Sequence, residues 1–251
     1  MLNIVVPMAG AGSRFSKAGF LDPKPLIKIN GVPMIRIVIE NLKPSRMHRF
    51  IFICQASHVR DYDLKEKLIT WAPGSLIIEI DGVTEGAACT VLKARKYIDS
   101  DDPLMICNSD QFVESDINCY LNKMDDDCLD GIIMTMKASD AKWSYAKIDS
   151  GFVVDVVEKK VISDEATVGI YNFKSGADFV QATEEMINKN LRVNGEFYVA
   201  PVYRELVLRG KKIGIFNVGE EGNGMHGLGI PSDLNLFEQS PLCKAVTRHL
   251  T

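Results

Sequence analysis

The sequence predicts an α/β fold in which a doubly wound, mostly parallel sheet is covered by helices. Three observations support this: short apolar runs, helical spacing between them, and polar turns where the runs end. The runs are typical of strands buried on both faces of a parallel sheet, and they span residues 2–8, 49–54, 75–80 and 103–107. Helices are predicted between them, at 34–42, 62–71 and 86–98. Such sheets bind ligands in the loops that follow the strands, so the site is expected there.

In the second half of the chain, predicted strands follow one another instead of alternating with helices. Four strands are predicted at 131–136, 145–149, 152–158 and 167–173, and Asp149-Ser150-Gly151 reads as a hairpin turn. Helices at 177–188 and 196–209, a strand at 212–216, and two short helices after Pro231 and Pro241 complete the prediction. Since there is no repeat and no obvious linker, we expect one domain with a β-rich elaboration.

Composition limits the possible functions. The 251 residues, 46% hydrophobic and 25% charged, suit one sizeable globular core. The net charge of −4, without a basic stripe, argues against nucleic-acid binding. The N-terminus has no basic n-region and no apolar run is long enough to span a bilayer, which predicts no membrane association. The six cysteines form no C-x-x-C pair, so reduced thiols in a cytoplasm are expected.

The most informative segment follows the first predicted strand and reads Pro-Met-Ala-Gly-Ala-Gly-Ser-Arg-Phe, residues 7–15. Small residues in a sharp turn allow backbone N–H groups to approach an anion closely. The segment lacks the third glycine of G-x-G-x-x-G, because Phe15 stands in its place, and it lacks the Gly-Lys-Ser/Thr of a P-loop. It therefore predicts an anion-binding loop of a different kind.

Two cations accompany this loop. Arg14 follows it directly, and Lys24 lies between Pro23 and Pro25 in a segment that the two prolines stiffen. A planar guanidinium and a compact ammonium are suited to binding a polyphosphate. The alternative is a tight structural turn with solvent-exposed cations, which explains the glycines alone but not the full set.

Together these segments resemble the sugar-phosphate nucleotidyltransferase family (nucleotide-sugar pyrophosphorylases). The ordered matches are Ala-Gly-Ala-Gly-Ser-Arg at 9–14, Pro-Lys-Pro-Leu at 23–26, Gly-Val-Pro-Met at 31–34, Asn-Ser-Asp at 108–110 and Gly-Ile-Pro-Ser-Asp-Leu at 229–234. The resemblance implies a Rossmann-like three-layer α/β/α sandwich with a mixed, mostly parallel sheet of the GT-A-like kind. It divides the single domain into a nucleotide-binding half (1–130), an acceptor-binding, β-rich half (131–235) and a C-terminal helix (236–251).

The resemblance also implies a reaction and the residues for it. A nucleoside triphosphate and a phosphorylated small-molecule acceptor would be the ligands, pyrophosphate the product, Mg²⁺ or Mn²⁺ the cofactor, and surface polysaccharide precursors a plausible destination. Residues expected to be catalytic are Arg14, Lys24, Asp110 and Lys159. Further nucleotide-binding residues are Ala9, Gly10, Ala11, Gly12, Ser13, Thr84, Glu85, Gly86, Ala87 and Ser109. Further acceptor-binding residues are Tyr145, Ala146, Glu158, Gly169 and Glu196.

Three features depart from the family pattern. The late metal-binding aspartate is replaced by Gly227, so Asp110 is the expected metal ligand and His226 the nearest candidate for a second. Thr84 stands where uracil- or thymine-reading members often carry glutamine, which leaves the nucleobase open. The family's Tyr-Gly and Glu-Lys-Pro become Tyr145-Ala146 and Glu158-Lys159-Lys160, which leaves the acceptor open.

Two other functions remain as alternatives. A GT-A-type glycosyltransferase would use residues 108–110 as a variant metal motif, although Arg14 and Lys24 would then have no clear role. A non-catalytic nucleotide-binding regulatory homologue would account for the lost aspartate. Homo-oligomer formation is possible, but no segment reads as a separate assembly domain.

Overall fold

The computed structural model describes residues 1–250, and they form an α/β fold around one large mixed sheet. The strands are β1 (Leu2–Pro7), β2 (Lys28–Ile29), β3 (Val32–Pro33), β4 (His48–Gln55), β5 (Leu76–Ile80), β6 (Leu104–Cys107), β7 (Gln111–Val113), β8 (Gly131–Lys137), β9 (Ser144–Asp149), β10 (Phe152–Glu158), β11 (Glu165–Phe173), β12 (Ile213–Glu221) and β13 (Gly224–Gly227). The helices are α1 (Ser13–Lys17), α2 (Met34–Leu42), α3 (Ala56–Tyr62), α4 (Leu64–Trp71), α5 (Ala87–Val91), α6 (Arg95–Ile98), α7 (Ile117–Asp126), α8 (Gly176–Asn188), α9 (Val202–Leu208), α10 (Pro231–Gln239) and α11 (Pro241–Thr247).

The main sheet has the strand order β5-β4-β1-β6-β11-β8-β12-β13-β7, with β9 and β10 attached beside β11. Five of the eight pairings along this path are parallel, β5-β4, β4-β1, β1-β6, β8-β12 and β12-β13, and the other three are antiparallel. The predicted mixed, mostly parallel sheet is therefore confirmed.

Helices cover both faces of the sheet, which gives the predicted three layers. Ile4 and Val6 of β1 belong to one core cluster, with side chains from α2, α4 and α7. Val5, which lies between them, belongs to the opposite cluster, with side chains from α5, α8 and α9. Because successive residues of a strand point to opposite faces, an uninterrupted apolar strand such as β1 can serve two cores.

A third, smaller cluster supports the loop after β1. It contains Phe15 of α1, Ile29 of β2, and Phe237 and Cys243 of the last two helices. The Phe15 ring also meets the Phe20 ring edge-on at 5.1 Å between centroids. The C-terminal helices therefore help to hold the glycine-rich segment at the carboxyl end of β1.

Several predicted elements have different bounds. The helix expected at 62–71 is α4 alone, because Asp63 adopts a left-handed conformation (φ 49°) that separates it from α3. The helix expected from 196 begins only at Val202, after Pro201, and Gly195 with positive φ lies in the preceding loop. The predicted helix at 86–98 is divided by a 3₁₀ turn at Leu92–Ala94. A C-terminal division at 236 falls within α10, which ends at Gln239.

Candidate active site

The glycine-rich segment lies against Lys24 at the carboxyl end of β1. Gly12 precedes α1 in the left-handed region (φ 60°), and a Cβ atom at this position would lie 3.4 Å from Lys24 Cβ. Lys24 begins a short 3₁₀ turn, Lys24–Leu26, directly after Pro23. Gly10 and Gly12 line a cavity of about 220 Å³ together with Lys24, Ser109 and Asp110. The structure thus brings the predicted loop, lysine and aspartate to one place.

Asp110 is held at this place from two sides. It lies in the connection between β6 and β7, and its carbonyl accepts a hydrogen bond of 2.8 Å from the Leu228 N–H. Its carboxylate Oδ2 forms an ion pair with Lys24 Nζ. A Cβ atom at position 229 would lie 2.5 Å from Oδ2, so the absence of a side chain at Gly229 makes room for the carboxylate.

One residue that fixes the glycine loop was not predicted. Gln55, the last residue of β4, donates from Nε2 to the carbonyl of Ala9 at 2.5 Å and to that of Gly82 at 2.9 Å. It thereby ties the loop after β1 to the loop after β5, on the ligand edge of the sheet. The sequence signal that could have identified Gln55 is its position directly after the predicted buried strand 49–54.

A larger cavity of about 920 Å³ adjoins the smaller one, and Asn108 and Asp110 line both. Arg14 lines its near end, and no side-chain hydrogen bond or ion pair of Arg14 is found in the part of the chain that the structure describes. Its far end carries Glu158, Lys159, Glu196 and Tyr198. The cleft is therefore continuous from the glycine loop to the predicted acceptor residues.

Two carboxylates and a lysine shape the far end of the cleft. The Lys159 ammonium donates to the Tyr198 hydroxyl at 2.7 Å and lies 4.8 Å from the centre of its ring. This hydrogen bond is the main reason why the pKa of Lys159 is raised above its ordinary value. Glu158 accepts a hydrogen bond from the Ser144 hydroxyl, and burial raises its pKa, with nearby Glu196 adding to the shift.

Gly169 makes room on the floor of this cavity. It has a φ of 81°, and a Cβ atom there would lie 2.1 Å from Asn108 Nδ2 and 2.7 Å from Gln111 Oε1. The Gln111 side chain is buried, and its Nε2 has no hydrogen-bond partner among the described residues. Position 169 therefore shapes the cavity by lacking a side chain. Asn108 and Gln111 both line the cavity. Asn108 belongs to the 108–110 motif that the sequence singled out, whereas Gln111 was not predicted.

Two predicted acceptor residues do not line the cavity. The Tyr145 side chain is fully buried, and its hydroxyl donates to the carbonyl of Asp140 at 2.8 Å. Ala146 is also buried, and its carbonyl accepts a hydrogen bond from Ser163 at 2.7 Å. The side chains at 145 and 146 support β9 from within the core, and the neighbouring Ser144 lines the cavity instead.

The predicted base-reading turn also differs in detail. The Thr84 hydroxyl is used within the turn, since it donates to the Gly86 carbonyl at 2.9 Å and lies 2.6 Å from the Thr90 hydroxyl. Glu85 is ion-paired with Arg192. Of the residues predicted in this turn, Ala87 is the one that lines the large cavity.

His226, the candidate for a second metal ligand, does not line the cavity. Its Nε2 lies 2.7 Å from Glu114 Oε1, a contact that lowers the pKa of Glu114, and its ring packs 5.4 Å from Phe237. Neighbouring strand residues point to opposite faces, so His226 faces away from the cavity that Gly227 lines. Asp233 lines that cavity, and its Oδ2 would lie 3.3 Å from a Cβ atom at position 227.

With this geometry in place, comparison with known proteins decides the family. The family model described as nucleotidyl transferase matches residues 4–197, which include the glycine loop, Lys24, Asp110 and Lys159. The chain belongs to the nucleotidyl transferase family. The resemblance inferred from the motifs is thus confirmed.

Individual relatives agree with this assignment. The chain is 26% identical over 232 residues to the bifunctional protein GlmU of Methanococcus vannielii, covering 85% of this chain and 50% of that protein. It therefore spans about half the length of that curated relative. Among solved structures, a nucleoside-diphosphate-sugar pyrophosphorylase from Vibrio cholerae has 26% identity and a TM-score of 0.78, covering 94% of this chain and all of the other.

More distant structures share the fold. The inositol-1-phosphate CTP transferase of T. maritima has a TM-score of 0.72 at 15% identity, over 98% of this chain and 95% of that one. A putative glucose-1-phosphate thymidylyltransferase from Bacillus anthracis has a TM-score of 0.74 at 16% identity, over 100% and 97%. In the described residues, no helix has the length and apolar character needed to cross a membrane.

Proposed function

We propose that this nucleotidyl transferase family member transfers a nucleoside monophosphate from a nucleoside triphosphate to a phosphorylated small metabolite and releases pyrophosphate. The observation that carries the proposal is the convergence of the glycine loop, Lys24 and Asp110 on one cavity that opens towards Lys159. A phosphate-binding end and an acceptor end are then parts of one cleft.

The nucleotide end supplies positive charge without a strongly basic surface. The backbone amides of 10–14 and the Arg14 guanidinium would bind the β- and γ-phosphates, while Lys24 would bind the α-phosphate. Charge on the α-phosphoryl oxygens shifts as the bond to the attacking oxygen forms. Preorganised donors that stabilise this charge lower the barrier without first having to reorient.

The residues at this end also fit a divalent cation. Asp110 and Asp233 present carboxylate oxygens to the same cavity, and oxygen ligands are those that Mg²⁺ and Mn²⁺ prefer. Asp233 forms no ion pair in the described part of the chain, so its charge is available to a cation. A bound cation would neutralise phosphate charge, and Asp110 would turn from Lys24 towards it.

At the acceptor end, Lys159 would bind the acceptor's phosphate, and Glu158 and Glu196 would accept hydrogen bonds from its hydroxyl groups. An oxygen of that phosphate attacks the α-phosphorus, a new phosphorus–oxygen bond forms, and the bond to the β-phosphate breaks in line with it. The acceptor phosphate is already ionised near neutral pH, so the step needs no general base. Alignment and charge stabilisation supply the catalysis.

The comparisons favour a sugar phosphate as the acceptor, because the relative from V. cholerae is described as a nucleoside-diphosphate-sugar pyrophosphorylase. A phosphopolyol remains the second possibility, since a structural neighbour is described as an inositol-1-phosphate CTP transferase. We place the reaction in the cytoplasm, where the free thiols stay reduced, and in the supply of surface polysaccharide precursors.

The test is a pyrophosphate-release screen of ATP, CTP, GTP, UTP and dTTP against phosphorylated sugars, polyols and amines, with Mg²⁺. For the productive pair, Lys24→Ala should lower kcat/KM by a factor of about 10² or more, because the lysine acts on transition-state charge. Lys17→Ala is the matched control, since this exposed lysine of α1 lies outside both cavities. Equal turnover in the two variants, or no pyrophosphate from any pair, would overturn the proposal.

A further inference from the structure

The loop between α8 and α9 is bound directly to the turn 84–88. The Phe197 N–H donates to the Glu85 carbonyl at 2.8 Å, and the Ala88 N–H donates to the Phe197 carbonyl at 3.0 Å. Gly86 permits this approach, because a Cβ atom there would lie 2.4 Å from the Phe197 carbonyl oxygen. The two backbones are thus in contact with no side chain between them.

Arg192 joins the same two segments through its guanidinium group. It forms an ion pair with Glu85 and lies 4.2 Å from the centre of the Phe197 ring. It also donates to the Gly195 carbonyl at 3.2 Å and, from Nε, to Asn190 Oδ1 at 2.7 Å. A planar fork with several donors can hold this number of partners in one geometry, which a lysine cannot.

The segment that Arg192 holds carries residues of the acceptor end. Glu196 and Tyr198, on either side of Phe197, line the large cavity, and Tyr198 accepts the hydrogen bond of Lys159. Arg192 itself does not line this cavity. A continuous set of contacts therefore runs from the turn 84–88 to the lysine at the acceptor end, and Arg192 lies at its centre.

We propose that Arg192 is a positioning residue that couples the two ends of the cleft. A nucleotide bound against the turn 84–88 orders this turn, and through Glu85 and Arg192 it orders the loop 190–198. The loop then presents Glu196 and the Tyr198–Lys159 pair to the acceptor. This inference rests on the proposed function, because it assumes that a nucleotide occupies the near end of the cleft.

Amide hydrogen exchange tests the coupling without a known acceptor. The α,β-methylene analogues of ATP, CTP, GTP, UTP and dTTP are added singly, with Mg²⁺, to the full chain. In the wild type, the analogue that slows exchange at 10–14 should also slow it at 190–198, by about 5-fold or more. In Arg192→Met the protection at 10–14 should remain and that at 190–198 should fall by most of its wild-type value, because only the two backbone hydrogen bonds between turn and loop are left.

Two further variants separate positioning from folding. Arg192→Lys keeps the charge opposite Glu85 but not the fork, and should recover part of the protection at 190–198. Arg204→Met is the matched control, because this arginine of α9 pairs with Asp155 at 3.5 Å outside the cleft, and it should behave as the wild type. The melting temperature of each variant is measured alongside.

The outcomes are distinct. Protection at 10–14 in the wild type without protection at 190–198, or equal protection at 190–198 in Arg192→Met, would overturn the coupling and leave the proposed function standing. If no analogue protects 10–14, the proposed function fails and the coupling falls with it. Once an acceptor is known, Arg192→Met should raise its KM about 10-fold with little change in the KM of the nucleotide.

Discussion

Replacing Gly86 by alanine tests the close backbone contact between the turn 84–88 and Phe197 of the loop 190–198. Gly86 has φ 127° and ψ 171°, a region that only glycine adopts readily, and a side chain there costs about 2 kcal/mol in strain. The new Cβ would also meet the Phe197 backbone, with the carbonyl oxygen at 2.4 Å and the nitrogen at 2.6 Å. Loss of the two hydrogen bonds between turn and loop adds about 1 kcal/mol each.

We therefore expect Gly86→Ala to lower the free energy of unfolding by about 4 kcal/mol, and the melting temperature by about 10 °C for a chain of this length. Gly82→Ala is the matched control in the same loop, because Gly82 also has a positive φ (72°), but in the described part of the chain no atom lies within 4 Å of an added Cβ. It should cost only about 1 to 2 kcal/mol. The measurement is thermal unfolding of the purified variants, followed by circular dichroism. Equal losses of melting temperature in Gly86→Ala and Gly82→Ala would refute the close-contact argument.

Two other substitutions probe the acceptor end. Burial raises the pKa of Glu158 in the folded state, so its ionisation destabilises the fold as the pH rises from the unfolded pKa through the folded pKa. Glu158→Gln should therefore raise the melting temperature at pH 8 and change it less at pH 4. A change in melting temperature that is the same at both pH values would contradict this. Gly169→Ala should cost about 2 to 3 kcal/mol in urea unfolding, because the new Cβ would meet Asn108 in a backbone with positive φ. Gly151→Ala, with positive φ and open space, should lose less.

The nucleotide end of the site follows closely from the sequence. Its groups lie directly after buried strands, at Gly10–Arg14 after β1 and at Asp110 after β6, and the carboxyl ends of neighbouring parallel strands meet at one edge of the sheet. The motif around Lys24 adds a stiff local conformation. Local pattern and topology together therefore predicted which residues would converge.

The acceptor end was less predictable, because it depends on which face of a strand each residue occupies. A single position decides whether a side chain enters the cavity, as with Ser144, or the core, as with Tyr145. The same rule turns His226 away from the cavity. Asp233 reaches the cavity from a helix that follows in the chain, a placement set by tertiary packing.

Loops between helices were the other source of error. The 196–201 segment contains residues compatible with a helix, yet the Phe197 backbone is bound to the turn 84–88, more than a hundred positions earlier in the chain. The Arg192–Glu85 pair has the same long separation. Contacts of this kind leave no periodic signal in a single sequence, so the contact between the turn 84–88 and the loop 190–198 became visible only in the structure.

The most direct test asks whether the loop 10–14, Lys24 and Asp110 act on one polyphosphate. It is a calorimetric titration with the non-hydrolysable triphosphate analogue that binds, carried out with and without Mg²⁺. The wild type should bind more tightly with Mg²⁺ than without it, whereas Asp110→Asn should lose most of this difference and Lys24→Ala should bind more weakly in both conditions. If both variants bind as the wild type does, with the same response to Mg²⁺, the three groups do not share a ligand.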